Sequence, residues 1–64
     1  MPATIDYNEV REMLGVVVSD GYSEYVVADY SIGNDMFKLW DKNRQAFYFT
    51  SHGAFYALYE VISG

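Results

Sequence analysis

The residues whose types are best suited to catalysis are Ser51 and His52, and His52 is the single histidine of the 64-residue chain. Nucleophilic catalysis requires a hydroxyl or thiol beside a base that a third group orients. Neighbouring residues at the start of a helix point apart, and no acidic residue lies near this pair in the sequence. The pattern is typical of a helix cap followed by a surface histidine. We therefore predict no catalytic residues and a protein that is not an enzyme.

A second candidate is the segment 29–35, which places oxygen-bearing side chains at alternate positions, as a calcium-binding loop does. Its glycine, Gly33, comes one position too early for such a loop, and the twelfth position is Trp40 instead of a bidentate glutamate. The chain has no cysteine for thiolate ligands or disulfides. A plain turn explains this segment better, so we predict no metal site and no cofactor.

The charge of the chain is acidic and unevenly distributed. The formal net charge is −5; residues 1–35 carry seven acidic residues against one arginine, which gives −6, and residues 36–64 carry two against three basic ones, which gives +1. Such a chain is repelled by nucleic acid and by anionic membranes and is attracted to basic protein surfaces. We predict a protein partner with a basic surface, no direct nucleic-acid binding and no membrane association.

The acidic half also predicts a more specific role. On a helix, Asp6, Glu9 and Glu12 follow one another at intervals of three residues, and Asp20, Glu24 and Asp29 extend the acidic stretch. A small protein with such a line of carboxylates can imitate DNA and inhibit a protein that binds nucleic acid, as phage proteins do against host enzymes. The plainer interpretation is that these residues keep a small hydrophobic protein soluble.

Tyrosine is unusually frequent, with seven residues in addition to one tryptophan. Tyrosine and tryptophan are enriched in protein interfaces because they bury a large area with few rotatable bonds and keep a polar tip. The alternative is that these rings fill the core of a short chain. The predicted partner-binding residues are Trp40, Tyr48, Tyr25, Tyr30, Glu9, Glu12, Glu24 and Asp29.

The apolar spacing of residues 10–17 predicts a first helix over residues 6–19, capped by Thr4 or Asp6 and ended by Asp20-Gly21. In the alternative interpretation Gly15 ends the helix early, residues 16–18 form a strand, and Asp20-Gly21 is a two-residue hairpin turn. The helical spacing favours the first interpretation and the β-branched valines favour the second. We adopt the helix.

Three strands follow, over residues 22–30, 36–41 and 46–50, with residues 41–45 as the loop of the second hairpin. Alternation predicts that one face carries Phe37, Leu39, Phe47 and Phe49, and that the other carries Lys38, Trp40, Ala46 and Tyr48. Ser51 is predicted to cap a final helix over residues 53–63, whose buried stripe comprises Phe55, Leu58, Tyr59 and Ile62.

The predicted fold is α+β: a three-stranded antiparallel sheet with two helices in the order α-β-β-β-α, forming one domain over residues 1–64. No targeting segment and no long apolar run is visible, so the expected location is cytoplasmic. The predicted function is a small acidic protein-binding module, an inhibitor or adaptor. The alternative is a homodimer that pairs the aromatic sheet face or the Ala54, Ala57 and Val61 flank of the final helix.

Overall fold

In the computed structural model, which describes residues 5–63, the chain forms two short helices and five strands. In chain order these are α1 (Tyr7–Met13), β1 (Val17–Ser19), β2 (Glu24–Ser31), β3 (Met36–Asp41), β4 (Ala46–Ser51), α2 (His52–Leu58) and β5 (Glu60–Ser63). The strands form one antiparallel sheet in the order β4-β3-β2-β1-β5. The prediction of a three-stranded sheet in the order α-β-β-β-α is therefore wrong, although the fold is α+β-like. The two additional strands, β1 and β5, lie in segments predicted to be helical.

Helix α1 begins at a cap. The carboxylate of Asp6 accepts hydrogen bonds from the backbone N–H groups of Asn8 and Glu9, at 3.0 and 3.4 Å. These bonds satisfy N–H groups that have no partner within the first helical turn. The prediction of Asp6 as a cap is confirmed, and Thr4, the other predicted cap, lies outside the described residues.

The first helix ends at Met13 and not at Ser19 as predicted. Gly15 has φ +85°, a left-handed conformation that no helix continues. The Gly15 N–H donates to the carbonyl of Val27 (2.8 Å), and the Val27 N–H donates to the carbonyl of Val16 (3.0 Å). These bonds draw the valine segment onto β2 as strand β1. The alternative interpretation, with an early helix end and a valine strand, is the one observed.

The connection between β1 and β2 is held by Asp20. Its Oδ1 accepts the backbone N–H groups of Tyr22 and Ser23, each at 2.9 Å, and Gly21 adopts φ +93°. Asp20-Gly21 thus lies in a hairpin connection between two strands, as the alternative interpretation requires. The connection spans the four residues between Ser19 and Glu24 instead of two.

The hairpin of β3 and β4 has the predicted strands in a different register. Asp41 pairs with Ala46, so the turn comprises residues 42–45 and the strands pair Leu39 with Tyr48. We predicted a five-residue loop that included Asp41. Since side chains alternate between the two faces, a shift of one residue moves every side chain of β4 to the opposite face. Phe47 and Phe49 therefore share a face with Trp40 and Lys38, and Tyr48 shares a face with Phe37 and Leu39; the predicted assignment is wrong.

The second helix begins as predicted and ends early. The Ser51 hydroxyl accepts the backbone N–H of Ala54 at 3.2 Å, which confirms the cap. The helix ends at Leu58, and residues 60–63 pair with β1 as strand β5. The predicted helix over residues 53–63 is wrong because β1 offers unpaired backbone groups to this segment, and a long-range strand pairing leaves no trace in helical spacing.

The core lies on one face of the sheet. Its buried residues are Val10 of α1, Phe55 of α2, Val16 before β1, and the strand residues Val18, Tyr25, Val27, Phe37 and Leu39. The rings of Phe37 and Phe55 stack with their centroids 4.0 Å apart. Both described helices thus pack on the same side of the sheet.

Candidate partner-binding face

The side of the sheet opposite to α1 and α2 carries a row of apolar side chains. Direct partners in antiparallel strands have side chains on the same face. The pairings Phe47–Trp40, Trp40–Val26 and Val26–Val17 therefore place four apolar residues in one line across β4, β3, β2 and β1. We call this side the open face. Its apolar members are Val17, Val26, Met36, Trp40, Phe47 and Phe49.

The aromatic end of the open face stands in solvent. Phe47 is 50% exposed and Phe49 is 60% exposed. Trp40 is half-buried, with its ring centroid 4.7 Å from that of Phe47. The ammonium nitrogen of Lys38 lies 4.1 Å from the Phe47 ring centroid, a cation–π contact that holds the lysine side chain over the phenyl ring.

Acidic residues flank the apolar row. Glu24 of β2 and Glu60 of β5 both pair with Ser19 of β1, so both glutamates lie on the open face and on the same side of the row. Asp29 of β2 pairs with Lys38 of β3 beyond the other side of the row. Three carboxylates and one ammonium thus lie on the open face, which carries net negative charge; the carboxylates belong to β2 and β5, whereas the exposed rings belong to β4.

Three of the predicted aromatic site residues lie on the helix-bearing side. Tyr25 is only 7% exposed, and its ring packs edge-on against Tyr48 and Tyr59 at centroid distances of 5.9 and 5.8 Å. Its hydroxyl donates to Asp20 Oδ2 at 3.2 Å. Tyr48 is 38% exposed at the margin of the same side. The structure does not bring either ring together with Trp40, since the register places them on opposite faces.

Tyr30 has a structural role on the helix-bearing side. It is half-buried, and its hydroxyl donates to Asp35 Oδ1 at 3.1 Å. The Tyr7 hydroxyl of α1 donates to the same oxygen at 2.9 Å, so Asp35 joins α1 to the sheet. Two causes raise the pKa of Tyr30 to about 12: the larger is partial burial, and the second is the hydrogen bond to the Asp35 carboxylate.

The acidic residues divide by type. The five aspartate carboxylates accept hydrogen bonds from backbone or side-chain donors: Asp6 and Asp20 as described, Asp29 from the Tyr30 N–H, Asp35 from two hydroxyls, and Asp41 from Asn43, Arg44 and the Arg44 guanidinium. Within residues 5–63, the hydrogen bonds involve none of the four glutamate carboxylates. The aspartates stabilise turns and caps, while the four glutamates are exposed.

The predicted acidic line is divided between two surfaces. Glu9 and Glu12 are exposed on α1, on the helix-bearing side, whereas Glu24 and Asp29 lie on the open face. Asp6 and Asp20, which were to continue the line, are held in a cap and a loop. The open-face part of the predicted site therefore comprises Trp40, Glu24 and Asp29.

Sequence reasoning missed Phe47, Phe49 and Glu60. The signal for the two phenylalanines was present in the consecutive rings of Phe47, Tyr48 and Phe49, since an uncharged strand with rings on both faces cannot bury all of them against one layer of helices. Glu60 lies within the range predicted for the final helix, which ends before it.

The Ser51 and His52 side chains have separate roles. The Ser51 hydroxyl caps α2, and the His52 ring stacks on Phe37 at a centroid distance of 6.1 Å, with the Tyr56 ring at 4.9 Å. Among residues 5–63 there is no group of three or more histidine, aspartate or glutamate residues able to hold a metal ion. In the part of the chain that the structure describes, no helix is long and apolar enough to cross a bilayer.

Residues 5–63 form an α+β-like fold in which one sheet face carries both helices and no described element covers the other face. The chain shows no significant similarity to any protein-family model, curated protein or solved structure compared with it.

Proposed function

We propose that this protein is a non-enzymatic protein-binding module whose open face covers an apolar patch with basic surroundings on a partner protein. The observation that carries the proposal is the exposed pair of rings, Phe47 and Phe49, beside Trp40 on a sheet face of net negative charge. The proposal includes the cytoplasm as its compartment, which cell fractionation tests.

The apolar content of the face supports binding to a protein. Aromatic side chains that stack in a partly desolvated cluster are the residues that contribute most to protein interfaces. Trp40 and Phe47, with Val26 beside Trp40, form such a contiguous group, and Phe49, which is 60% exposed, continues it at the margin. Covering these rings removes apolar area from water, which stabilises the complex by about 25 cal/mol per Å² buried, before the entropy lost on association is subtracted.

The charge of the face supports a basic partner. The open face carries Glu24, Glu60 and Asp29 against Lys38 alone, and the whole chain carries −5. Two copies that met open face to open face would oppose these carboxylates to one another. A surface of opposite charge gains both attraction and a faster encounter. Inhibition of a nucleic-acid-binding protein, of the kind that phage proteins exert, is the more specific form of this proposal, since such proteins present basic surfaces.

The experiment is affinity capture from a lysate, identification of the retained protein, and titration of the purified partner. We expect Glu24→Lys with Glu60→Lys to weaken binding by at least tenfold and Trp40→Ala to do the same. The matched control is Glu9→Lys with Glu12→Lys, which changes the net charge equally on the opposite side of the sheet. We expect little effect from it at physiological salt, where the Debye length is about 8 Å.

Two results would overturn the proposal in its present form. If the α1 pair weakens binding and the open-face pair does not, the acidic helix is the binding surface. If neither pair has an effect while Trp40→Ala folds normally and binds normally, the open face is not involved. Competition between duplex DNA and this protein for the purified partner tests the inhibitor form.

A further inference from the structure

The two edges of the sheet differ in how well they are protected from other strands. An edge strand offers unpaired N–H and C=O groups, and proteins usually protect it with charge, proline, a bulge or short length. Strand β4 has none of these: its six residues are Ala-Phe-Tyr-Phe-Thr-Ser, without charge or proline, and its pairing with β3 is continuous. It is an unprotected edge.

Strand β5, at the other edge, is protected. It has four residues, begins with Glu60, and its pairing with β1 contains a register shift next to Val17 and Val18. A short, charged and irregular edge is a poor template for further pairing. Of the two edges, β4 is the one able to accept another strand.

No other described element covers the β4 edge. Helix α2 packs on the core side of the sheet, where Phe55 stacks on Phe37 of β3 at a centroid distance of 4.0 Å, and it leads to β5 at the far edge. Among residues 5–63, the backbone hydrogen bonds made outside helices and strands include none from residues 46–51. Phe47, Tyr48 and Phe49 are 50%, 38% and 60% exposed.

The charge distribution favours a second copy of this chain at β4. Two molecules of net charge −5 repel each other, and the repulsion is smallest where their acidic residues are farthest apart. Beside β4 lie Lys38 of β3 and the basic turn residues Lys42 and Arg44. The exposed glutamates belong to α1, β2 and β5. Approach through β4 therefore joins the least acidic edges of two acidic molecules.

We propose that two copies of this chain pair β4 with β4 in an antiparallel arrangement about a two-fold axis at Tyr48, so that two five-stranded sheets become one continuous sheet. Centring on Tyr48 places Phe47 of each copy opposite Phe49 of the other. Aromatic pairs directly across antiparallel strands stabilise sheets. Centring on either phenylalanine would instead pair Tyr48 with alanine or threonine. The axis is perpendicular to the sheet, so both open faces lie on the same side of the dimer.

The arrangement is closed and of moderate affinity. After β4 pairs with itself, the outer edges are the two protected β5 strands, so association stops at a dimer. Because a single strand pair buries little area, the interface belongs to the small end of the usual range. We expect a micromolar dissociation constant. This inference rests on the β4 edge and not on the proposed partner.

Sedimentation equilibrium at concentrations up to about 200 μM tests the dimer. We expect Phe49→Glu to raise the dimer dissociation constant at least tenfold, since it removes two symmetry-related phenylalanine pairs. Its carboxylate stands opposite Lys38 within the monomer, which favours folding, and circular dichroism checks the fold. Ile62→Glu on β5 is the control: it adds the same charge at a 53% exposed edge residue and should leave the dimer unchanged.

Cross-linking provides a second, independent measurement. The chain has no cysteine, so a single Tyr48→Cys variant has only its counterpart in the other copy as a disulfide partner. Directly opposed residues in antiparallel strands are close enough for a disulfide. We expect a cross-linked dimer under mild oxidation from Tyr48→Cys and none from Ile62→Cys. A monomer at all concentrations, or cross-linking at residue 62 in place of residue 48, would overturn the proposal.

Discussion

Trp40 and Phe47 stand directly opposite each other on β3 and β4, with ring centroids 4.7 Å apart. Their pairing follows from the turn at residues 42–45, which the fully buried carboxylate of Asp41 holds by accepting the N–H groups of Asn43 and Arg44. Because this turn sets the register of the hairpin, it also decides which aromatic rings stand in water.

Phe55→Ala is expected to remove most of the stability of the domain. Phe55 is 2% exposed and stacks on Phe37, so truncation leaves a cavity and costs about 3–5 kcal/mol. The total free energy of unfolding of a protein domain is only about 5–15 kcal/mol. Urea unfolding followed by circular dichroism measures the loss. Phe49→Ala, at a 60% exposed position, is the control and should change stability by about 0.5 kcal/mol or less; similar losses at both positions would contradict the assignment of the core.

Gly15→Ala and Gly53→Ala should have opposite effects. Gly15 has φ +85°, and a Cβ there meets no atom within 4 Å, so the expected loss of about 1–2 kcal/mol comes from the left-handed backbone alone. Gly53 lies in α2 without a positive φ and also has free space, so alanine should stabilise the helix by about 0.5–1 kcal/mol. Thermal unfolding compares the two. Unchanged stability in Gly15→Ala would contradict the left-handed conformation of residue 15.

The Asp20 loop predicts loss of stability in acid. The backbone N–H groups of Ser23 and Tyr22 lower the pKa of Asp20 below its usual 3.8. The folded state therefore favours the carboxylate, so this contribution is complete at pH values above 3.8 and disappears as the pH falls through the lowered pKa. Thermal midpoints measured from pH 6 to pH 2 should fall less steeply in Asp20→Asn than in the natural chain. Equal slopes would show that the loop does not depend on this carboxylate.

Tyr30 predicts loss of stability in alkali. Partial burial and the Asp35 carboxylate raise its pKa from 10.0 to about 12, so the folded state favours the neutral phenol. This contribution is complete at pH values below 10 and is lost as the pH rises through about 12. Thermal midpoints between pH 9 and pH 12 should decline less steeply in Tyr30→Phe, which has no ionisable hydroxyl. A decline as steep as that of the natural chain would place the alkaline transition at another tyrosine.

Local signals predicted the local features of the fold. Asp6 and Ser51 cap the two helices because an Asp or Ser side chain satisfies nearby N–H groups whatever the rest of the chain does. The strand bounds of the second hairpin followed from alternating apolar residues and a polar loop. These features depend on neighbours within about four residues.

The errors occurred where two interpretations were locally equivalent. Residues 10–17 have helical spacing, yet the left-handed Gly15 and the hydrogen bonds of Gly15 and Val16 with Val27 lead the chain into strand β1. The segment after Leu58 has a helical stripe, yet β1 leaves an edge that it fills. In both cases a backbone pairing with a distant segment outweighs weak helical propensity, as expected for short helices that depend on tertiary contacts.

For the candidate site, the sequence by itself determined the materials: an excess of aromatic rings, an acidic charge concentrated in the first half, and no cysteine. Only the tertiary structure decided their arrangement. Phe47 and Phe49, and not Tyr48 and Tyr25, share a sheet face with Trp40, and the acidic residues of α1 lie apart from those of the sheet. The physical reason is that side chains alternate between the two faces of a strand. A register shift of one residue, which the four-residue turn decides, therefore moves every side chain of the strand to the opposite face.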